Sequence, residues 1–175
     1  MCVCVCVHGR LAPNVHVVRG GFDDDTTFPD HKIIQIGQFK IGLMHGHQIV
    51  PWGDAHSLAM VQRQLDVDIL ITGHTHRNEV SEFEGKWFIN PGSITGAYRC
   101  VINPVDLAIF DEMVQCYFIT ISNQLIVLCI YISTLTTDVV PSFILLAIQG
   151  NKVVTYVYEL HGDQVDVSKS EFSKA

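Results

Sequence analysis

A mixed α/β domain that ends in a β-meander is the fold class that this 175-residue sequence predicts. An apolar strand pattern at residues 39–44 is followed by a helical pattern and by a second apolar strand at 67–72, which is the order of a parallel strand, helix and strand unit. Neither an internal repeat nor a linker divides the chain, so we expect a single domain over residues 1–175. The meander is predicted from three strand patterns separated by turn signals, at residues 142–148, 152–160 and 164–168.

The remaining strands are predicted from short β-rich runs bounded by turn residues. Residues 14–18 are rich in β-branched side chains and precede a turn rich in glycine and aspartate. Two hairpins are expected, one at residues 32–44 around Gly37-Gln38 and one at residues 79–90 around Gly85.

One helix is predicted between the two apolar strands of the parallel unit. Leu58, Val61 and Leu65 recur there at helical spacing. Asp54 precedes this pattern and is placed to accept hydrogen bonds from the free amides of the first turn.

Composition excludes some classes of partner and of compartment. The net charge of −7 disfavours nucleic acid, because binding to a phosphate backbone depends on Lys and Arg. A hydrophobic content of 48% with only 17% charged residues argues against disorder. The six cysteines lack the CxxC spacing of zinc sites, and the first residues lack the basic region and cleavage site of a secretory signal. These features predict a cytoplasmic protein.

Histidines follow both strands of the parallel unit, at the sheet edge where open α/β proteins bind their ligands. His45 follows the first strand, and His74 and His76 follow the second within the run GHTH. Side chains two residues apart in extended or loop backbone project to the same side, which suits two imidazoles that reach one metal ion or one each of a pair. Any one of these histidines alone is more typical of a structural or solvent-facing residue than of a ligand, whereas three at neighbouring strand ends make a metal site a stronger candidate.

Three runs carry a resemblance to a known family: GQFKIGLMHGH, DVDILITGHTH and INPGSITGAY. They resemble the calcineurin-like metallophosphoesterases, and within that family they closely resemble the retromer small subunits. The resemblance covers residues 14–98 and resumes at 140–172. It implies a metallophosphoesterase-like α/β/β/α sandwich, incomplete at the N-terminus, that ends in the β-meander. It also implies that His45, His74 and His76 occupy metal-ligand positions.

The chain departs from the family at several other ligand positions. In active members DxH, GD, GNH, GH and GHTH motifs together hold two metals about 3.5–4 Å apart, which clamp the phosphate and activate water. Here His8-Gly9-Arg10 stands where the DxH ligands would come, and the segment that would carry the second motif is absent. In place of GNH the chain has Gly20-Gly21-Phe22, so that Gly21 replaces a metal ligand and Phe22 replaces the catalytic histidine.

These departures decide the predicted chemistry. Two cations held close together repel each other, and neutral imidazoles cannot offset that repulsion as bridging carboxylates do. Three histidines are able to hold a single zinc or manganese ion weakly, with water at the open position. We therefore expect a scaffold without catalytic residues that binds at most one divalent metal. The alternative is a metal-dependent phosphodiesterase, which needs the missing ligands.

The resemblance also implies partners for this scaffold. It implies a subunit of retromer in protein transport from endosomes to the Golgi or plasma membrane, located in the cytoplasm and peripheral on endosomal membranes. Ile49 and Val50 match positions that pack on the C-terminal helical solenoid of the large retromer subunit. On the opposite face Leu145 and Tyr158 match an apolar patch that recruits regulators of endosomal traffic. From spacing alone, Leu145 and Tyr158 are more typical of ordinary strand residues that cover a core.

An apolar block at residues 101–135 interrupts the resemblance, and three interpretations of it are open. Residues 113–137 carry no charge and are long enough for a membrane-spanning helix, although polar residues within them and the lack of flanking Lys or Arg weaken this interpretation. The β-branched runs YFITIS and LIVLCIYIS favour an added pair of strands. The third interpretation is translated non-coding sequence. A real membrane span would make this a membrane-anchored protein.

Overall fold

The computed structural model of the protein describes residues 14–21, 23, 27–94, 96, 114–122, 125–132 and 139–174. Eleven strands and one helix lie within these residues. In chain order they are β1 (Asn14–Val18), β2 (His31–Ile36), β3 (Phe39–Met44), α1 (Ala55–Leu65), β4 (Ile69–Ile71), β5 (Asn78–Phe83), β6 (Lys86–Pro91), β7 (Val114–Ser122), β8 (Leu125–Ile132), β9 (Ser142–Gln149), β10 (Lys152–His161) and β11 (Gln164–Ser173).

The strands form two sheets. The five-stranded sheet has the order β2-β3-β4-β6-β5, in which β3, β4 and β6 run parallel and the two outer strands are antiparallel to their neighbours. The six-stranded sheet has the order β1-β7-β8-β9-β10-β11 and is antiparallel throughout. The parallel strands of the first sheet end at a common edge, where α/β proteins place their ligand sites.

The two sheets pack face to face around one hydrophobic core. Ile41, Ile69 and Ile89 from the five-stranded sheet are fully buried against Ile144 and Leu146 of the other. These apolar side chains alternate with residues of the opposite face, as the two-residue period of a strand requires.

Helix α1 covers the outer face of the five-stranded sheet. Ala59 of the helix packs with Val67, Leu70 and Phe88, and Leu70 points away from the inter-sheet core that its neighbours Ile69 and Ile71 enter. Helix, sheet and sheet therefore form three layers in the part of the chain that the structure describes.

Most predicted elements are confirmed. The strand at 14–18, both hairpins, the helix with Asp54 as its N-cap and the C-terminal meander are all present, and β3 and β4 are parallel as predicted. Strand β4 is shorter than the predicted 67–72. The metallophosphoesterase-like fold class is confirmed, although the described residues contain one helical layer of the expected α/β/β/α sandwich. Residues 1–13, which include His8-Gly9-Arg10, lie outside the described residues.

Within the apolar block, two segments form strands in the middle of the six-stranded sheet. Strand β7 pairs with β1 and β8, and β8 pairs with β9, for example through Val127 opposite Leu145. Of the three interpretations of the apolar block, this arrangement corresponds to an added pair of strands. The helix in the described ranges is neither long enough nor apolar enough to cross a membrane. Residues 101–113 and 133–135 lie outside those ranges, and the origin of the block stays a prediction.

Candidate functional site

The predicted ligand residues come together at the carboxyl ends of the parallel strands. His45 follows β3 directly, and His74 and His76 lie in the loop after β4. The backbone N–H of Gly73 donates to the carbonyl of His45 over 2.9 Å, so a hydrogen bond joins the two strand ends. His45 and His76 are buried, at 1% and 9% exposure, and His74 is partly buried.

A fourth histidine, His47, belongs to the same cluster. Its Nδ1 lies 3.0 Å from Nδ1 of His45, close enough for one ring to donate a hydrogen bond to the other. The ring centroids of His45 and His74 are 5.2 Å apart. The centroid of the His47 ring lies 5.1 Å from that of His45 and 6.3 Å from that of His74. The indole of Trp52 meets the His74 ring edge to face, with centroids 4.4 Å apart.

Asn90, at the carboxyl end of β6, holds the histidine loop in place. Its amide Nδ2 donates to the carbonyl of Gly73 over 3.1 Å and to the Thr75 hydroxyl over 2.9 Å. The loop needs such support because His74 and His76 both have positive φ, at 69° and 55°, a conformation that costs free energy for residues with a side chain. Asn90 thereby fixes the backbone from which both imidazoles project.

The surroundings of His45 and His74 keep these two imidazoles neutral near pH 7. Burial, with a smaller contribution from the neighbouring histidines, lowers the pKa of His45 to about 3. Burial, followed by the charges of His76 and His47, lowers the pKa of His74 to about 4. A neutral imidazole has a lone pair free for a metal ion, so both residues are in the form that binds metals at neutral pH.

Two of these nitrogens lack a partner. Nε2 of His45 and Nε2 of His74 are buried without a hydrogen bond to any described residue, which is uncommon for polar atoms in protein interiors. As the side chains stand, no group of three or more His, Cys, Asp or Glu among the described residues is arranged to hold a metal ion. The neutral nitrogen donors that gather here suit one divalent ion in chemical type, and they do not suit a pair of ions, whose repulsion needs anionic ligands.

The altered GNH motif lies beside this cluster. A Cβ atom at Gly21 would come within 3.2 Å of Cγ of His47, so the position that the resemblance assigns to a metal ligand does adjoin the histidines. Phe22 and residues 8–10 lie outside the described residues.

The residues predicted to bind partners lie on two separate surfaces. Of the pair at the histidine edge, Val50 is 74% exposed whereas Ile49 is only 4% exposed, so of the two only the side chain of Val50 is accessible from solvent. Leu145 and Tyr158 lie on the outer face of the six-stranded sheet, because the adjacent residues Ile144 and Leu146 fill the core. The ring of Tyr158 stacks on Phe143 with centroids 4.6 Å apart.

Sequence reasoning missed His47, Trp52 and Asn90 as parts of the site. The run HGH did contain His47, and a glycine between two histidines permits the backbone to turn both rings inward, as Gly46 does at a φ of 102°. Asn90 carried no comparable signal, because its contacts join β6 to a loop that is distant in sequence.

Fold and site together define a domain of the phosphoesterase type, and comparison with known proteins gives its family. A family model described as the calcineurin-like phosphoesterase superfamily domain matches residues 3–111, and the chain belongs to this superfamily. Within it, the similar proteins include several Vps29 proteins. Vacuolar protein sorting-associated protein 29 of Schizosaccharomyces pombe is 32% identical over 165 residues, which span 94% of this chain and 72% of the relative.

Solved structures give the same result. Vacuolar protein sorting 29 from Cryptosporidium parvum superposes with a TM-score of 0.71 at 41% identity, covering 97% of this chain and 75% of its own. Wild-type Vps29 of Entamoeba histolytica complexed with Zn²⁺ gives a TM-score of 0.66 at 41% identity, covering 89% of this chain and 68% of its own. The resemblance predicted from the sequence runs is thus confirmed.

Proposed function

We propose that this chain is a non-catalytic scaffold subunit of retromer that binds the C-terminal helical solenoid of the large subunit. The names of its relatives assign them to vacuolar protein sorting. The observation that carries the proposal is Val50, an aliphatic side chain that is 74% exposed at the rim of the histidine cluster. Through this complex the protein would be peripheral on endosomal membranes and cytoplasmic otherwise.

The loop that presents Val50 is held in a fixed conformation. Ile49 is buried, and its N–H donates to the carbonyl of Gly46 over 3.1 Å. The Trp52 indole Nε1 donates to the carbonyl of His47 over 3.3 Å. An apolar side chain on an ordered loop loses little conformational entropy when a partner covers it, and this favours a docking role.

A second apolar surface supports binding of regulators at the same time. On the outer face of the six-stranded sheet, Leu145 and Tyr158 share a surface with Val165 and Val167 of β11, which are 58% and 52% exposed. The register sets Val167 opposite Tyr158, so the side chains of the two strands are neighbours. Because this face lies across the core from the five-stranded sheet, a regulator bound here would leave Val50 accessible.

A pair of matched valine variants tests the docking proposal. We expect Val50→Asp to abolish capture of the purified solenoid fragment of the large subunit, because the contact would bury an unpaired carboxylate. Val167→Asp makes the same change on the other face and should leave solenoid capture intact. Capture by folded Val50→Asp at the wild-type level would contradict the proposal.

We also propose that the histidine cluster does not catalyse phosphodiester hydrolysis. The donors gathered at the strand ends are neutral imidazoles, and Gly21 and Phe22 stand where the family has a ligand and a catalytic histidine. Purified protein with added Mn²⁺ or Zn²⁺ should hydrolyse a phosphodiester no faster than buffer does, and metal-dependent turnover would support the phosphodiesterase alternative instead.

A further inference from the structure

Strand β11 lies at one edge of the six-stranded sheet, and it is long and regular. Ten consecutive residue pairs join it to β10, from His161 opposite Gln164 to Lys152 opposite Ser173. No strand in the described ranges pairs with its other side. Exposed sheet edges are commonly shortened, bulged or interrupted by proline, and β11 has none of these features although residues 164–171 are all exposed. The open side of β11 is therefore accessible to another extended chain.

The hydrogen bonds between β10 and β11 determine which backbone groups of β11 face its open side. Just beyond the strand, the N–H of Lys174 donates to the carbonyl of Asn151 over 2.8 Å. In an antiparallel pair, residues that bond the neighbouring strand alternate with residues whose N–H and C=O point away from it. The even-numbered residues of β11 therefore bond β10. The backbone groups that point to the open side belong to the odd-numbered residues, which include Val165, Val167, Lys169 and Glu171.

These four residues also share the outer face of the sheet. Strand residues two apart lie on one face, and Val167 is the cross-strand neighbour of Tyr158. Val165 and Val167 are 58% and 52% exposed. Glu171 already forms a salt bridge to β10 over 3.2 Å, whereas Lys169 has no ion pair among the residues that the structure describes. The open edge thus presents two aliphatic side chains and then a cation, each two residues from the last.

We propose that the open edge of β11 binds an extended segment of a partner protein, which adds a further strand to the sheet by antiparallel pairing. Backbone hydrogen bonds supply the affinity of such a site, and alternate side chains supply its selectivity. The segment carries an acidic residue opposite Lys169, followed at two-residue spacing by aliphatic residues opposite Val167 and Val165. A strand without the acidic residue would leave the ammonium group unpaired, so the charge selects among strands. Binding here does not require docking of the solenoid at Val50.

A second copy of this chain does not meet that description. If Glu171 of one copy lies opposite Lys169 of the other, the antiparallel register sets Val167 opposite Ser173, and the valine meets no aliphatic side chain. The register that sets the two copies of Val167 opposite each other places Lys169 opposite Val165, and the charge stays unpaired. The edge therefore suits a segment of a different protein.

Amide hydrogen exchange followed by NMR tests strand addition residue by residue. The probe is a synthetic peptide with blocked termini, Thr-Asp-Thr-Val-Thr-Val-Thr, added to the full chain. In the free chain the amides of Val167 and Lys169 should exchange rapidly, while those of Ser168 and Ser170 are already protected by β10. Saturating peptide should slow the first pair by at least about fivefold and leave the second pair unchanged. A contact through side chains alone does not produce this alternation.

A charge exchange tests the selectivity. Lys169→Glu should weaken binding of the peptide by about fivefold, and a peptide with Lys in place of Asp should recover the lost affinity. Lys32→Glu makes the same change on β2 of the other sheet and should leave binding of the original peptide unaltered.

N-methylated peptides test the backbone bonds without altering the protein, so they remain informative if a variant fails to fold. A methyl group on the nitrogen of the first Val removes a donor to β11 and should weaken binding by at least about fivefold. The same group on the Thr between the valines points away from β11 and should leave the affinity near that of the parent peptide. The proposal is overturned if the parent peptide does not bind, if both methylated peptides bind equally well, or if the odd-numbered amides of the free chain become protected as its concentration rises, since a second copy would then occupy the edge.

Discussion

At the scale of single residues, Gly92 determines how closely the two sheets approach each other after β6. Its φ is 76°, and a Cβ atom there would lie 2.1 Å from Oγ of Ser142 and 3.0 Å from the backbone N of Asn78. Ser142 cannot move away without cost, because its hydroxyl donates to the carbonyl of Pro91 over 2.9 Å and its N–H donates to Ser93 over 2.8 Å. A side chain at position 92 would push β9 away from β6.

Gly92→Ala should therefore lower the free energy of unfolding by about 2–5 kcal/mol, the sum of a left-handed backbone penalty and a steric clash. Urea denaturation followed by circular dichroism measures this. Gly150→Ala is the matched control, because Gly150 has a φ of 60° but nothing lies within 4 Å of its Cβ position. If both variants cost the same, the clash with Ser142 contributes nothing.

The candidate site was predictable from sequence at some residues and not at others. His45, His74 and His76 were found because a pattern, GHTH and HGH after apolar strands, marks strand ends that the parallel sheet brings together. His47 was left out because the ligand positions were inferred from the family pattern, which does not include this residue. The contact of His47 with His45 depends on the space beside Gly21, which the sequence pattern does not show. The burial of Ile49 is likewise set by tertiary packing, which local spacing does not encode.

At the scale of elements, helix α1 depends on the cap at its first turn. The carboxylate of Asp54 accepts from the N–H of Ser57 over 2.8 Å and from its hydroxyl over 2.9 Å, and these bonds lower the pKa of Asp54. The helix begins directly after the loop that carries Val50 and Trp52, so this cap also fixes where that loop ends.

Asp54→Ala should lower the thermal midpoint by about 2–4 °C, because an N-terminal amide loses its acceptor. Asp54→Asn keeps an acceptor oxygen at the same place and should remain near the wild-type midpoint. Differential scanning calorimetry of the three proteins gives the comparison. An Asn variant as unstable as the Ala variant would mean that the side chain's charge, and not its hydrogen bond, stabilises the helix.

The elements that were predicted correctly are those with local signals. The turns at Gly37 and Gly85 and the cap at Asp54 each specify a hairpin or a helix from a few adjacent residues. The pairing of β1 with β7 is different in kind. It joins Asn14 to Thr120 across about a hundred residues, and no local pattern specifies which β-rich run a strand will choose as its neighbour.

At the scale of the whole molecule, Asp68 joins the two sheets. It directly precedes β4 of the five-stranded sheet and binds Lys174, which directly follows β11 of the six-stranded sheet. Its carboxylate accepts from Lys174 Nζ over 2.6 Å, from Lys86 Nζ over 3.0 Å and from the backbone N of Lys40 over 3.0 Å. Burial acts to raise the pKa of Asp68, but these hydrogen bonds outweigh burial and lower it to about 2. Nearby, the rings of Trp87 and Phe172 stack 3.9 Å apart, so an apolar contact reinforces the polar one.

The contribution of Asp68 to stability should depend on pH in a defined direction. Its pKa falls from an ordinary 3.8 to about 2 on folding, so the stabilisation is fully present above pH 3.8 and is lost as the pH falls through 2. Urea denaturation should show Asp68→Asn to be about 2 kcal/mol less stable than wild type at pH 7, with the gap closing between pH 4 and pH 2. Asp66→Asn removes an exposed carboxylate that pairs with Lys40 over 2.7 Å, and screening by solvent should leave that variant near wild type. A gap for Asp68→Asn that stays constant down to pH 2 would assign the loss to packing, and the two sheets would then be held together without this charge.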